Sequence, residues 1–114
     1  GVDGPLPPGV FVYEIAGPLF FGAAQRAMET LGTVGTRAKV VILRMEQVPV
    51  MDATGLVALE SAVKLLRGQG AQAILAGLQE QPRELVLRAR LVTDDGHVSL
   101  APSMAEALAA AARA

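Results

Sequence analysis

The stretch Val48-Pro49-Val50-Met51-Asp52-Ala53-Thr54-Gly55 decides the fold of this chain, because it marks the passage from a strand into a helix. The apolar run 40–43 before it is typical of a buried strand, and residues 56–67 after it carry leucine and valine at helical spacing. Asp52 stands where the N-cap of that helix belongs, so its carboxylate can accept hydrogen bonds from the first backbone N–H groups. This pattern predicts either an ordinary helix cap or an open helix N-terminus that binds an anion or a loop phosphate.

Strand and helix patterns alternate along the rest of the chain. Residues 10–16 alternate in polarity, and Phe11, Tyr13 and Ile15 are expected to form one well-buried face of a strand. Further strands are predicted over 40–43, 71–76 and 98–100, and helices over 22–31, over 56–67, from Pro82 and from Pro102. This alternation predicts a single α/β domain with a mixed, mainly parallel β-sheet and about four α-helices, to which the N-terminal strand can add an antiparallel edge. In such a sheet a ligand is expected beyond the carboxyl ends of the strands, where the Asp52 loop follows a strand.

The composition excludes several classes of function. The 114 residues are enough for one domain with a sizeable core but too few for two. A net charge of −1 argues against a nucleic-acid-binding protein that relies on neutralising phosphates. The chain has no cysteine, which excludes disulfides, thiol catalysis and thiolate metal sites. No apolar run approaches the ~18 residues that a membrane-spanning helix requires.

No arrangement of catalytic or metal-binding side chains is recognisable in the sequence. His97 is the only histidine and is expected to be a solvated loop residue, so a multi-histidine metal site is excluded. Asp94 and Asp95 are adjacent carboxylates followed by glycine, a pattern typical of a turn rather than of an acid/base pair. We therefore predict that the chain is not an enzyme and has no catalytic residues, no metal site and no cofactor.

Three short segments resemble one known family. Met51-Asp52-Ala53-Thr54-Gly55-Leu56 resembles the signature loop of STAS domains, the fold shared by anti-sigma factor antagonists and the C-terminal domains of SulP anion permeases. Gly17-Pro18-Leu19-Phe20-Phe21-Gly22-Ala23-Ala24 resembles the SulP branch, and Leu78-Gln79-Glu80-Gln81-Pro82 resembles a segment that follows the next strand in SulP domains. The resemblance covers residues 10–114, which are interpreted as a STAS domain. Residues 1–9, rich in proline and glycine, are interpreted as a linker or chain edge.

The resemblance implies a cytoplasmic regulatory or scaffold domain of a SulP-type transporter of sulfate or another anion. Such a domain would be non-catalytic and would support assembly, trafficking or gating at the cytoplasmic face of the cell membrane. Its expected partners are the membrane domain of the same transporter and, in the full-length protein, a second protomer in a homodimer. The resemblance also allows weak binding of a nucleotide or an anion at the loop formed by Asp52, Ala53, Thr54 and Gly55. Nucleic acid is not an expected partner.

Two features separate the SulP branch from the alternative, a free-standing anti-sigma factor antagonist that binds a partner kinase. Antagonists usually carry a Gly-Glu-Leu-Asp-like turn where this chain has Phe20 and Phe21. Those that are phosphorylated usually have a serine directly after the loop aspartate, where this chain has Ala53. Adjacent phenylalanines in extended backbone point in opposite directions, so one is expected in the core while the other can face a partner.

Overall fold

Strands and helices alternate along the chain in the predicted order. The computed structural model describes residues 6–32 and 38–114. Its elements are β1 (Val10–Ala16), α1 (Phe21–Gly32), β2 (Val40–Gln47), α2 (Ala53–Gly68), β3 (Gln72–Ala76), α3 (Glu80–Arg88), β4 (Val98–Ala101) and α4 (Met104–Ala112). The predicted α/β fold is therefore confirmed in the type and order of its elements.

Several element boundaries differ from the sequence prediction. α2 begins at Ala53 rather than at residue 56, and α3 begins at Glu80 rather than at Pro82. Two further differences have identifiable reasons. β2 continues past residue 43 because Arg44, which ends the apolar run, forms ion pairs with Glu14 and Glu46 and so fits within the sheet. The last helix begins at Met104 rather than at Pro102, because the hydroxyl of Ser103 caps it by accepting a hydrogen bond from the backbone N–H of Glu106 at 3.2 Å.

The four strands lie side by side in the order β1-β2-β3-β4. Every neighbouring pair is parallel, beginning with the register Val10↔Val40 between β1 and β2. The N-terminal strand therefore does not supply the antiparallel edge that the sequence allowed, and the strands within the described residues are all parallel. A single chain with this order needs a crossover between each pair of consecutive strands, and the three intervening helices provide these crossovers.

The sheet is covered unequally on its two faces. The first face carries Val41, Leu43 and Met45 of β2, and its apolar cluster includes residues of α1, α2 and α3. The opposite face carries Val40 and Ile42, and its cluster contains residues of α4 alone among the four helices of the described chain. Because β2 is buried on both faces, its sequence reads as a continuous apolar run rather than as an alternation.

β1 forms one edge of the sheet, and its predicted buried face is only partly buried. Ile15 is buried and Tyr13 is half-buried, but Phe11 keeps 39% of its surface exposed. The expectation of a well-buried face was therefore wrong at Phe11. An edge strand has a neighbouring strand on one side only. The apolar cluster that packs against α1, α2 and α3 reaches β1 only toward its carboxyl end, so it does not cover Phe11.

The helices that follow the strands do not all lie on one face. The chain leaves β3 for α3 on the same face as α1 and α2, whereas it leaves β4 for α4 on the opposite face. The connections from these two adjacent strands thus diverge at their carboxyl ends. Within the described residues, no helix combines the length and the apolarity needed to cross a membrane.

Candidate functional site

Asp52 caps α2, as the sequence predicts. Its Oδ1 accepts a hydrogen bond from the backbone N–H of Gly55 at 2.8 Å and another from the hydroxyl of Thr54 at 2.6 Å. The residue itself is extended, with φ −102° and ψ −177°, which is the usual backbone of an N-cap. Thr54 therefore uses its hydroxyl locally, in the first turn of the helix.

The carboxylate of Asp52 is held in its ionised form. The hydrogen bond from the Thr54 hydroxyl, followed by that from the Gly55 N–H, lowers the pKa of Asp52 below 3.8. The side chain is exposed at the tip of the loop. At neutral pH the loop therefore carries a fixed negative charge, which partly neutralises the positive end of α2.

The Asp52→Ala variant is expected to lower the thermal unfolding midpoint by about 5 °C, because α2 loses its cap. The Asp52→Asn variant is the control, since its amide oxygen still accepts the hydrogen bond without carrying a charge.

The lowered pKa of Asp52 stabilises the fold at pH values above the ordinary value of 3.8, and that contribution disappears as the pH falls through the folded-state pKa. The difference between wild type and Asp52→Ala should therefore shrink as the pH is lowered below 3.8. Equal midpoints at pH 7 would contradict the cap.

The loop after β1 and the loop after β2 lie side by side at Gly55. The backbone N–H of Leu19 donates to the carbonyl of Val50 at 2.9 Å, and Leu19 forms a parallel bridge with Met51. A Cβ atom added to Gly55 would lie 2.0 Å from the carbonyl oxygen of Leu19. Gly55 is therefore required by a close backbone approach, which the sequence pattern alone did not reveal.

A glutamine from α3 holds the other side of the same loop. The Oε1 of Gln81 accepts from the backbone N–H of Met51 at 2.9 Å, and its Nε2 donates to the carbonyl of Met51 at 2.9 Å. The Nε2 of Gln79 donates to the carbonyl of Glu46 at 2.9 Å. The side-chain amide of Gln81 thus pairs with the loop as a neighbouring strand would. Sequence reasoning missed both glutamines, although they stand in the segment that resembles SulP domains.

The surface beside the loop is partly apolar. Phe20 keeps 46% of its surface exposed, and it follows Leu19, which touches Gly55. Val57 is 61% exposed and lies one turn beyond the exposed Ala53 on the same face of α2. Phe21 begins α1, and its side chain lies outside what the structure describes. The exposed surface formed by Phe20, Ala53, Thr54 and Val57 is called the loop face below.

The remaining polar residues singled out in the sequence do not join this loop. Asp94 and Asp95 form a turn, as predicted, in which Asp95 accepts from the backbone N–H of His97 at 3.1 Å and pairs with Arg67 at 2.7 Å. His97 is half-buried rather than fully solvated, and its buried Nδ1 has no hydrogen-bond partner among the residues that the structure describes. Among the described residues, no three histidine, aspartate or glutamate side chains cluster in a way that could hold a metal ion.

Comparison with known proteins identifies one family. The family model of the STAS domain matches residues 3–107 of the chain. One relative is a candidate sulfate transporter, YvdB of Bacillus subtilis (strain 168), which is 34% identical over 80 residues. That match covers 69% of this chain but only 15% of YvdB, so the chain spans a small part of the length of that protein.

Two solved structures share the architecture over nearly the whole chain. A sulfate transporter family protein from Wolinella succinogenes matches with a TM-score of 0.82 and 34% identity, covering 95% of this chain and 88% of the other. The STAS domain of a SulP transporter from Vibrio cholerae matches with a TM-score of 0.77 and 30% identity, covering 94% and 84%. The similarity therefore extends over the sheet and its helices, well beyond the three short motifs.

Proposed function

The chain belongs to the STAS domain family, and from this premise we propose that it is the cytoplasmic regulatory or scaffold domain of a SulP-type transporter of sulfate or another anion. Two of the solved structures that it resembles are a sulfate transporter family protein and a SulP transporter STAS domain. In this proposal the domain is non-catalytic and lies at the cytoplasmic face of the membrane. Residues 1–9 link it to the membrane domain of the same protein. It supports assembly, trafficking or gating within a homodimer of the full-length transporter.

The way the Asp52 loop is held is the observation that best supports a contact role. Leu19 bonds the loop from one side and Gln81 bonds it from the other, so the loop is fixed to two separate segments of the fold. Its tip remains exposed at Asp52, Ala53 and Thr54. A rigid, exposed loop loses little conformational entropy when a partner binds, which favours a docking surface.

The apolar side chains of the loop face indicate a protein partner. Phe20, which follows Leu19, and Val57, in the first turns of α2, are both exposed, and burying such side chains stabilises an interface. We propose that the membrane domain of the same transporter covers the loop face. Phe21 remains part of this proposal on its sequence position beside Phe20.

A free anion is a weaker candidate for this loop. An exposed helix N-terminus contributes only ~0.3–1 kcal/mol to binding a negative charge, far below the ~8 kcal/mol that a micromolar site requires. The ionised carboxylate of Asp52 opposes an anion further, and the Thr54 hydroxyl already donates to that carboxylate. Tight binding at the loop must therefore recruit a second surface.

Titration calorimetry of the isolated domain with sulfate and with nucleotides is expected to show no binding at the loop tighter than a dissociation constant of roughly 100 µM. The Thr54→Val variant serves as the control, because it removes the hydroxyl while keeping the shape of the side chain. A low-micromolar dissociation constant that the variant abolishes would show that the loop binds a ligand on its own.

The alternative of an anti-sigma factor antagonist predicts phosphorylation of the loop. Ala53 has no hydroxyl, and the hydroxyl of Thr54 is engaged with Asp52. Incubation with an anti-sigma factor kinase and ATP should therefore leave the intact mass of the domain unchanged. The Ala53→Ser variant, which restores a hydroxyl after the aspartate, is the matched comparison. Addition of one phosphate to the wild-type domain at Thr54 would favour the signalling role.

Transport by the full-length protein tests the proposed function directly. The Phe20→Ser and Val57→Ser variants are expected to reduce sulfate uptake, or the amount of transporter at the membrane, by about threefold or more. Leu87→Ser is the matched control, because Leu87 is about as exposed as Phe20 but lies on α3 outside the loop face. The thermal midpoint of each isolated domain shows whether the fold is retained. Normal uptake and normal surface amount in both stably folded variants would reject the loop face as the docking surface.

A further inference from the structure

An open crevice lies at the carboxyl ends of β3 and β4, and its lining among the described residues includes none from the Asp52 loop. Its volume is about 540 Å³, which is within the range of roughly 300–1,000 Å³ typical of small-molecule sites. It is lined by residues of both strands, of the connections that follow them and of α3: Leu75, Leu78, Arg83, Leu100, Ala101 and Pro102.

The topology of the sheet explains why a crevice opens here. β3 and β4 are adjacent and parallel, with Ala76 paired to Ala101 at their carboxyl ends. The chain then turns to α3 on one face after β3, where Val86 is buried, and to α4 on the other face after β4, where Ala107 is buried. Connections that diverge from neighbouring parallel strands leave a gap outside the sheet, and open α/β sheets generally bind their ligands in such gaps.

The lining of the crevice combines apolar walls with one cationic group. Leu78 and Leu100 are half-buried and leave apolar surface facing the gap. Arg83 is exposed, and within the described residues its guanidinium forms no ion pair and no side-chain hydrogen bond. An arginine in this situation can bind a carboxylate or a phosphate through two parallel hydrogen bonds.

We propose that this crevice binds a small organic anion, with the apolar body of the ligand against Leu78 and Leu100 and the anionic group on Arg83. An inorganic anion such as sulfate would meet the guanidinium but would leave the apolar walls uncovered. A neutral apolar molecule would cover the walls but would leave the guanidinium unpaired. The ligand class is therefore distinct from the inorganic anion of the proposed transporter, and the assignment does not depend on the proposed function.

Nuclear magnetic resonance titrations of the isolated ¹⁵N-labelled domain with octanoate and with octanol test this site, because the two probes share an apolar chain and differ in charge. Octanoate is expected to cause saturable shifts in the amides of Leu78, Leu100 and Ala101. Arg83→Gln should weaken octanoate about tenfold and leave octanol unchanged. Arg88→Gln, on the same helix but outside the crevice, is the matched control and should leave both probes unchanged. Leu78→Ala should weaken both probes.

Several outcomes would overturn the assignment. These are the absence of saturable shifts at the crevice, shifts centred on other exposed apolar residues such as Val57 and Leu87, or an equal effect of Arg83→Gln and Arg88→Gln. Binding of sulfate alone as tight as octanoate would overturn the organic character of the ligand. If the domain sedimented with vesicles of anionic phospholipid, and if Arg83→Gln abolished this, the ligand would be a lipid headgroup rather than a free organic anion.

Discussion

Gly55→Ala is expected to lower the free energy of unfolding by roughly 3 kcal/mol or more, which is the largest loss of stability predicted for any substitution in this domain. The added Cβ would lie 2.0 Å from the carbonyl oxygen of Leu19 and 3.1 Å from the Cγ of Met51. The first of these is a backbone atom, so the clash cannot be relieved by rotating a side chain. The loops after β1 and β2 would have to separate, which would break the hydrogen bond from Leu19 to Val50.

The same helix offers a control with the opposite expected sign. A Cβ added to Gly68, at the other end of α2, meets no atom of the described residues within 4 Å, apart from its chain neighbours and the backbone of its own helix. Gly68→Ala is therefore expected to stabilise the domain by up to about 0.5–1 kcal/mol, because alanine has the higher helix propensity. Urea denaturation of both variants measures the difference. Similar free energies of unfolding for Gly55→Ala and the wild type would show that the two loops are not in close contact.

The cap at Asp52 could be predicted from the sequence, whereas the contacts that hold its loop could not. A cap depends on residues three apart, so its chemistry is visible locally. The bonds from Gln81 to Met51 join residues 30 apart, and no local pattern distinguishes such a glutamine from any other polar residue at the start of a helix. In the sequence Gly55 likewise resembles any residue near the start of a helix, because its contact with Leu19 exists only in the folded structure.

The sheet shows the same division between local and non-local information. Alternating polarity and apolar runs identified each strand, because burial on one or two faces sets those patterns directly. Which face α4 would cover could not be predicted, since this depends on the packing of the whole sheet. The length of β2 was underestimated for a related reason, because the partners that accommodate Arg44 include Glu14 on a different strand.

Gln81→Leu is expected to lower the free energy of unfolding by about 2 kcal/mol, the second largest predicted loss of stability after that of Gly55→Ala. Leu19 bonds to Val50 on one side of the loop, and the N–H and carbonyl groups of Met51 are bonded by Gln81 on the other. Met51 is almost fully buried, so replacing the amide by an apolar side chain leaves two polar backbone groups with restricted access to water. Gln25→Leu, at an exposed position on α1, is the control and should change the stability by less than about 0.5 kcal/mol.

The Gln81→Glu variant separates the two hydrogen bonds. An ionised carboxylate can still accept from the Met51 N–H, but it cannot donate to the Met51 carbonyl and is repelled by it. The repulsion raises the pKa of the introduced carboxyl in the folded state, so protonation favours folding. The loss of stability relative to the wild type should be greatest at neutral pH and should decrease as the pH falls through about 4–5, where the acid regains an O–H donor. Chemical denaturation at pH 7 and pH 4 measures this. A deficit that is the same at both values would mean that the donated bond to Met51 contributes nothing to holding the loop.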